Sequence, residues 1–185
     1  MAEKLLDEAG FKRGRDGKRF QLRVDFQPGF SALIVGTADY VKQALGRVGI
    51  DVELRSSDFG GFVNRVYKAY DYDLTVNFFF AMLDPTIGLQ RLYWSKNIRP
   101  GVAFSNGSQY ANPELDNVME LAQKEPSTGK RKELFNQFQR IVQQDVAMLN
   151  LVDMKYVTVF NKRIRNHTIN GDGPYATFAD VYIQK

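Results

Sequence analysis

Residues 20–80 constrain the fold most tightly, because their apolar spacing switches between periods of two and of 3.6. FQLRVDF (20–26) alternates, with Phe20, Leu22, Val24 and Phe26 on one face, as in a strand half exposed to water. Pro28-Gly29 breaks it. Ser31 then reads as the cap of a helix through about Val48, with Leu33, Ala38, Val41, Ala44 and Leu45 inward. Gly49 ends that helix and IDVEL (50–54) alternates again. Asp58 can cap a short helix carrying Phe62, Val63, Val66 and Tyr67. YDLTVNFFF (72–80) reads as a third strand, mixed and then wholly apolar, as at a central position. Strand, helix, strand, short helix, strand implies an α/β layer with at least partly parallel pairing and right-handed crossovers.

The flanks are simpler. Residues 2–9 have helical spacing, with Gly10 as the terminating residue. Asn112-Pro113-Glu114 opens a helix through about Lys124, with Leu115, Val118, Met119 and Ala122 inward. A further helix, about 128–145, buries Leu134, Phe135, Phe138, Ile141 and Val142. VAMLNLV (146–152) and KYVTVF (155–160) read as strands, and the remaining tail as irregular. No repeat or linker interrupts the 185 residues, which read as one compact unit.

Several chemistries have no residues to carry them. The chain has no cysteine, so disulfides and thiolate sites are excluded. One histidine, His167, lies in a polar stretch without a nucleophile elbow, so a hydrolase reading has nothing else behind it. No carboxylate cluster has ligand spacing, and neither dinucleotide nor P-loop motif occurs. No metal, cofactor or enzymatic activity is expected. Twenty-five Lys and Arg against 21 Asp and Glu leave +4, and the one dense basic patch (Lys12, Arg13, Arg15, Lys18, Arg19) lacks interleaved aromatics. Nucleic acid is therefore not an expected partner. No apolar run approaches the ~20 residues needed to cross a bilayer. Aromatic residues, at 13%, are the compositional excess.

The order of motifs resembles the carboxy-terminal part of the dipeptide/oligopeptide/nickel class (family 5) of extracellular solute-binding proteins of ABC transporters. The resemblance rests on AEKLLDEAGF, on VKQALGRVGIDVEL, and on YDLTVNFFFAMLDPTIGLQRLYWS. It also rests on the long run SNGSQYANPELDNVMELAQKEPSTGKRKELFNQFQRIVQQDVAMLNL and on FADVYIQK at the end. Together these cover nearly the whole chain, in order.

The resemblance implies an α/β fold: one lobe, residues 1–185, of a bilobed periplasmic-binding-protein-like (type II) fold, with a mixed sheet flanked by helices. It implies import of a peptide-like or other small polar or amphiphilic solute held between this lobe and a missing amino-terminal lobe. The other partner would be the membrane permease. It also implies export to the periplasm, with the signal peptide in the missing part. Counting back from Asp84-Pro85, the family's aromatic cleft position falls on Phe78. With regular alternation Phe78, Phe80 and Met82 share a face, and they are the expected ligand contacts. Asn106 and Tyr110, in a loop that the family brings near the cleft, are the expected polar anchors, whereas Tyr93 and Trp94 read as core. The acidic position that pairs with a peptide's α-amino group falls on Ala81, or with a one-residue gap on Phe80 or Met82. None is a carboxylate, which argues against short free peptides. The alternative from another class is a free-standing interaction domain that uses an aromatic patch.

Overall fold

The computed structural model describes residues 1–80, 82, 84–154, 157–171 and 177–185, which fall into two units. The first is Met1–Phe79 with Ser95–Tyr110 and the second Phe80–Trp94 with Ala111–Lys185. The first contains α1 (Ala2–Glu8), β1 (Phe20–Phe26), α2 (Ala32–Arg47), β2 (Ile50–Ser56), α3 (Phe59–Val63), a π-helical turn (Asn64–Ala69) and β3 (Leu74–Val76). The second holds α4 (Pro85–Gly88), α5 (Gln90–Tyr93), α6 (Pro113–Lys124), α7 (Thr128–Asp145), β4 (Ile164–Arg165) and β5 (Tyr182–Ile183).

In the first unit the strands run parallel in the order β2-β1-β3. Val24, Phe26, Ile50, Val52 and Val76 line one sheet face and bury against Ile34 and Ala38 of α2. Each such side chain contributes about 1.5–3 kcal/mol. Ser31 sets the helix phase by accepting from the Leu33 N–H at 3.2 Å. That phase turns Ile34 and Ala38 inward and leaves Leu33 44% exposed, so Leu33 is not an inward residue. Two expectations about the strands also change. The centre belongs to β1, which pairs on both sides, and β3 is a three-residue edge strand. It stops because the Asn77 Oδ1 accepts from the Phe78 N–H at 2.9 Å, a local turn that competes with the ladder.

The basic patch is a clasp. Arg13 donates to Glu3 Oε1 (2.5 Å), Gly17 O (2.7 Å) and Arg47 O (2.9 Å), and Arg19 to Asp7 Oδ1 (2.5 Å) and Val48 O (2.8 Å). These bonds fasten α1 to the turn between α2 and β2. That turn needs Gly49, which has φ +87° and sits where a Cβ would come within 2.7 Å of Arg13 Nη1.

In the second unit α6 and α7 pack together through Leu115, Val118, Met119, Ala122, Phe138, Ile141 and Val142. Tyr93 is buried and meets Phe138 edge-on at 5.3 Å, a core residue as expected, while the Trp94 Nε1–H donates to Glu120 at 3.3 Å. The two runs read as strands after α7 hold none among the described residues; Lys155 and Tyr156 lie outside them. The tail read as irregular instead forms the short antiparallel pair β4-β5.

Asp84 caps α4, accepting from the Thr86 N–H at 2.8 Å, and Arg131 donates to both its oxygens at 2.7 and 2.9 Å. The Arg131 bonds, then those from Thr86, lower its pKa from the ordinary 3.8 to about 2. A carboxylate depressed on folding adds stability above its unfolded pKa and loses it as pH falls through the folded one. The expected outcome is a melting temperature for wild type above that of Asp84→Asn at pH 5. The gap closes between about pH 4 and pH 2 and is modest because the pair is partly exposed. A gap independent of pH would refute this role for the pair.

Candidate functional site

In the order β2-β1-β3, the chain leaves β1 toward one neighbour and reaches the other only after β2. The carboxyl ends of β1 and β3 therefore flank a switch point, where open α/β sheets form a crevice. Each strand delivers phenylalanine to that end. Phe30 follows β1, Phe59 follows β2, and Phe78 and Phe79 follow β3. Phe30 is central, with ring centroids 5.6 Å from Phe78, 5.8 Å from Phe59 and Phe104, and 6.4 Å from Phe62. Phe59 stacks on Phe104 at 6.1 Å and 25°, and Phe79 meets Phe104 edge-on at 6.4 Å.

The cluster is graded by burial. Phe62 and Tyr67 form a buried base, Phe30, Phe78, Phe79 and Phe104 are half-buried, and Phe59 is 44% exposed. Such a surface can cover an apolar face of a solute at small side-chain entropy cost, since its rings are already held by one another.

Phe104 enters from a loop, and the loop is built to hold it. Its φ of +59° is in the left-handed region, which is unfavourable for a bulky L residue. The surrounding bonds enforce that conformation. Asn106 is fully buried; its Nδ2 donates to Tyr110 O at 2.8 Å, and its Oδ1 accepts from Ser108 Oγ at 3.1 Å and Tyr110 N at 3.2 Å. The Tyr72 hydroxyl donates to Gly107 O at 2.6 Å, and the Gly101 N–H to Tyr67 O at 2.7 Å. Gly107 lies so close under Tyr67 that a Cβ would sit 2.7 Å from its ring.

The π-helical turn supplies Tyr67 to the ring base and Arg65 to the opposite, polar face of the sheet. There Asp25, in the middle strand and fully buried, accepts from Arg65 Nε at 2.6 Å. It also accepts from Arg55 Nε and Nη2 at 3.0 and 2.6 Å, its register partner on β2. Arg55 and Arg23 both bond Asp71, and Arg23 also bonds Asp73, so three arginines meet three aspartates. Hydrogen bonds from Arg23 hold the Asp71 and Asp73 carboxyls below their usual range.

The five residues named from the sequence are divided between the two units. Phe78 joins the ring cluster, and Asn106 and Tyr110 share one loop of the same unit. Asn106 is spent on that loop and shows no surface. Phe80 and Met82 belong to the second unit, 44% and 52% exposed. The premise that they alternate with Phe78 fails, because the strand ends at Val76 and Met82 has φ +54°. Ala81 lies outside the described residues. His167 contacts Thr168 Oγ1 at 2.9 Å and the Phe160 ring. Among the described residues no group of three His, Cys, Asp or Glu could hold a metal ion, and no helix is long and apolar enough to cross a membrane.

Phe30, Phe59 and Phe104 were not named from the sequence. Phe30 and Phe59 lie in the short turns just past the ends of β1 and β2, and that position could have identified them. Phe104 had no local signal.

This course of chain is the fold of part of a type II periplasmic binding protein. HbpA2 from Haemophilus parasuis superposes with a TM-score of 0.72 at 20% identity, over 100% of this chain and 35% of that protein. A periplasmic oligopeptide-binding protein of an ABC transporter from Thermotoga maritima, bound to mannohexaose, matches with a TM-score of 0.64 at 25% identity. That match covers 80% of this chain and 29% of the other. By sequence, the probable D,D-dipeptide-binding periplasmic protein DdpA of Escherichia coli K12 is 26% identical over 147 residues. The match takes in 79% of this chain and 27% of DdpA, so the chain spans little more than a quarter of that relative. No family model matches the chain. Two of these three are named as periplasmic binding proteins, one for oligopeptides and one for D,D-dipeptides.

Proposed function

We propose that this chain is the carboxy-terminal lobe of a longer, two-lobed periplasmic binding protein that delivers a solute to an ABC-transporter permease. The solute lies between this lobe and an amino-terminal one. The observation that carries this reading is the graded ring cluster at the carboxyl edge of the parallel sheet. Phe78, Phe59 and Phe104 offer apolar faces there, and Tyr110 supplies a polar group from the loop that Asn106 shapes. Phe80 and Met82 are further proposed contacts, on their exposure alone. Pockets of this type are mostly apolar with a few polar anchors. A solute with apolar faces, such as a sugar or an end-blocked peptide, suits those rings, and the mannohexaose complex of the Thermotoga maritima protein supports that choice.

Half of the burial and half of the hydrogen bonds would come from the other lobe, so this chain alone binds weakly. The test is native mass spectrometry of the protein made from the whole reading frame, purified from the periplasm without refolding, beside this chain. The expected result is a discrete small-molecule adduct on the longer protein, absent from this chain and lost on Phe59→Ala. An equal adduct on this chain, or none on either, overturns the reading.

A further inference from the structure

The crossover from β2 to β3 ends in a conformation that a plain α-helix avoids. Asn64–Ala69 is π-helical, and the Arg65 carbonyl closes its wide turn by accepting from the Tyr70 N–H and, at 3.0 Å, from the Asp71 N–H. Tyr70, at φ +53° and ψ +31°, lies in the left-handed region, which a bulky side chain rarely occupies. Both features cost free energy and persist only where the surroundings over-determine them. Such segments gather at functional sites.

Arg65 is where the surroundings take hold. Its carbonyl closes the turn, while its Nε donates to Asp25 at 2.6 Å and its Nη2 to Ser57 Oγ at 3.2 Å. Asp25 is fully buried in the central strand and Ser57 follows β2, so one side chain ties the turn to both. Two residues on, Tyr67 grips the segments that bear the rings. Its own ring lies 6.0 Å from Phe62 and 6.3 Å from Phe104. Its carbonyl accepts from the Gly101 N–H at 2.7 Å and its hydroxyl from Asn77 Nδ2 at 3.3 Å. Gly101 lies in the loop that carries Phe104, and Asn77 directly precedes Phe78.

We infer that Arg65 is a positioning residue for the ring platform: its bond to Asp25 fixes the rotation of the π turn, and Tyr67 passes that rotation to Phe104 and Phe78. The inference rests on the binding role proposed above for those rings. A slip of the turn by one residue would swing Tyr67 by roughly 100° and take its carbonyl away from Gly101. Arg55 is the control within the same network. It donates to Asp25 through two nitrogens, at 3.0 and 2.6 Å, but stands on β2 rather than on the turn. A role limited to neutralising Asp25 makes the two arginines equivalent. A positioning role makes Arg65 alone decisive for the rings.

The test is hydrogen exchange of single amides, read by NMR, on this chain and on its Arg65→Met, Arg65→Lys and Arg55→Met variants. With Arg65→Met the Gly101 amide is expected to exchange at least about tenfold faster relative to the amides of the β1-β2 ladder. With Arg55→Met the ladder and Gly101 are expected to speed up together, so that their ratio stays as in wild type. Arg65→Lys keeps the charge but not the planar fork, and should restore only part of the Gly101 protection. In the protein made from the whole reading frame, the small-molecule adduct that co-purifies should be lost with Arg65→Met and kept with Arg55→Met. An unchanged Gly101 ratio in Arg65→Met, an equal change in both Met variants, or an adduct that survives Arg65→Met overturns the inference. Should Arg65→Met not fold, Arg65→Lys decides, and a wild-type Gly101 ratio in that variant overturns it. No adduct on the wild-type longer protein sinks the transport reading alone, and the exchange ratios still decide the role of Arg65.

Discussion

Asp25→Ala is expected to cost about 3–5 kcal/mol of folding stability in urea titration, the range for removing one partner of a buried ion pair. Its carboxylate is fully buried and takes three bonds from Arg55 and Arg65. Without it two guanidiniums face each other across the polar side of the sheet. Arg55 keeps Asp71 and both arginines are partly exposed, so the loss should fall toward the lower end of the range. Asp25→Asn keeps the shape and one acceptor oxygen, while its NH2 meets guanidinium donors, so it should cost only somewhat less. The transition should be followed by far-ultraviolet circular dichroism, since Trp94, the one tryptophan, lies in the second unit. A loss under about 1 kcal/mol for Asp25→Ala would mean that water reaches the arginines freely, and the network would then be a surface feature.

Phe62→Ala is expected to cost about 3–5 kcal/mol as well, through lost burial plus the cavity it leaves. Phe62 has no exposed surface, and its ring meets both Phe30 and Tyr67. The consequence extends past stability. Phe30 rests on Phe62, and Phe59, Phe78 and Phe104 rest on Phe30, so the cavity loosens the whole platform. On the proposed binding role, solute binding by the longer protein should weaken with Phe62→Ala although Phe62 itself shows no surface to a ligand. Phe62→Leu fills most of the space and should restore stability further than it restores binding, because ring-on-ring geometry is not replaced. Equal recovery of both would show that only volume matters at this position.

The sequence was most legible where structure is local. Ser31, Asp58 and Asn112 were readable as helix caps because capping is a relation between a side chain and N–H groups two or three residues away. Strands β1 and β2 and the inward faces of α6 and α7 followed from period alone. Leu33 was misplaced because one residue is about 100° of helix, and the stripe that buries is set by the cap. Asp25 looked like the wet side of an alternating strand. Its burial depends on Arg55 and Arg65, 30 and 40 residues away, which no window over β1 contains.

The candidate site divided in the same way. Phe78 was named from its distance to Asp84-Pro85, and its ring lies 5.6 Å from that of Phe30. Phe104 was invisible because its position comes from a loop closed by Asn97, Asn106, Gly107 and Tyr72 together. VAMLNLV (146–152) and KYVTVF (155–160) were read as strands from their apolar pattern, yet a strand is a relation between two segments, and the described residues of both runs form none.

The handedness of Phe104 has a consequence for anyone who tries to copy this surface. An L residue in the left-handed basin lies about 1–2 kcal/mol uphill of its ordinary conformations. A synthetic peptide spanning Arg99 to Tyr110 would therefore relax and turn the ring elsewhere. A mimic would need the mirror-image amino acid at that one position, for which the same backbone angles are the comfortable ones.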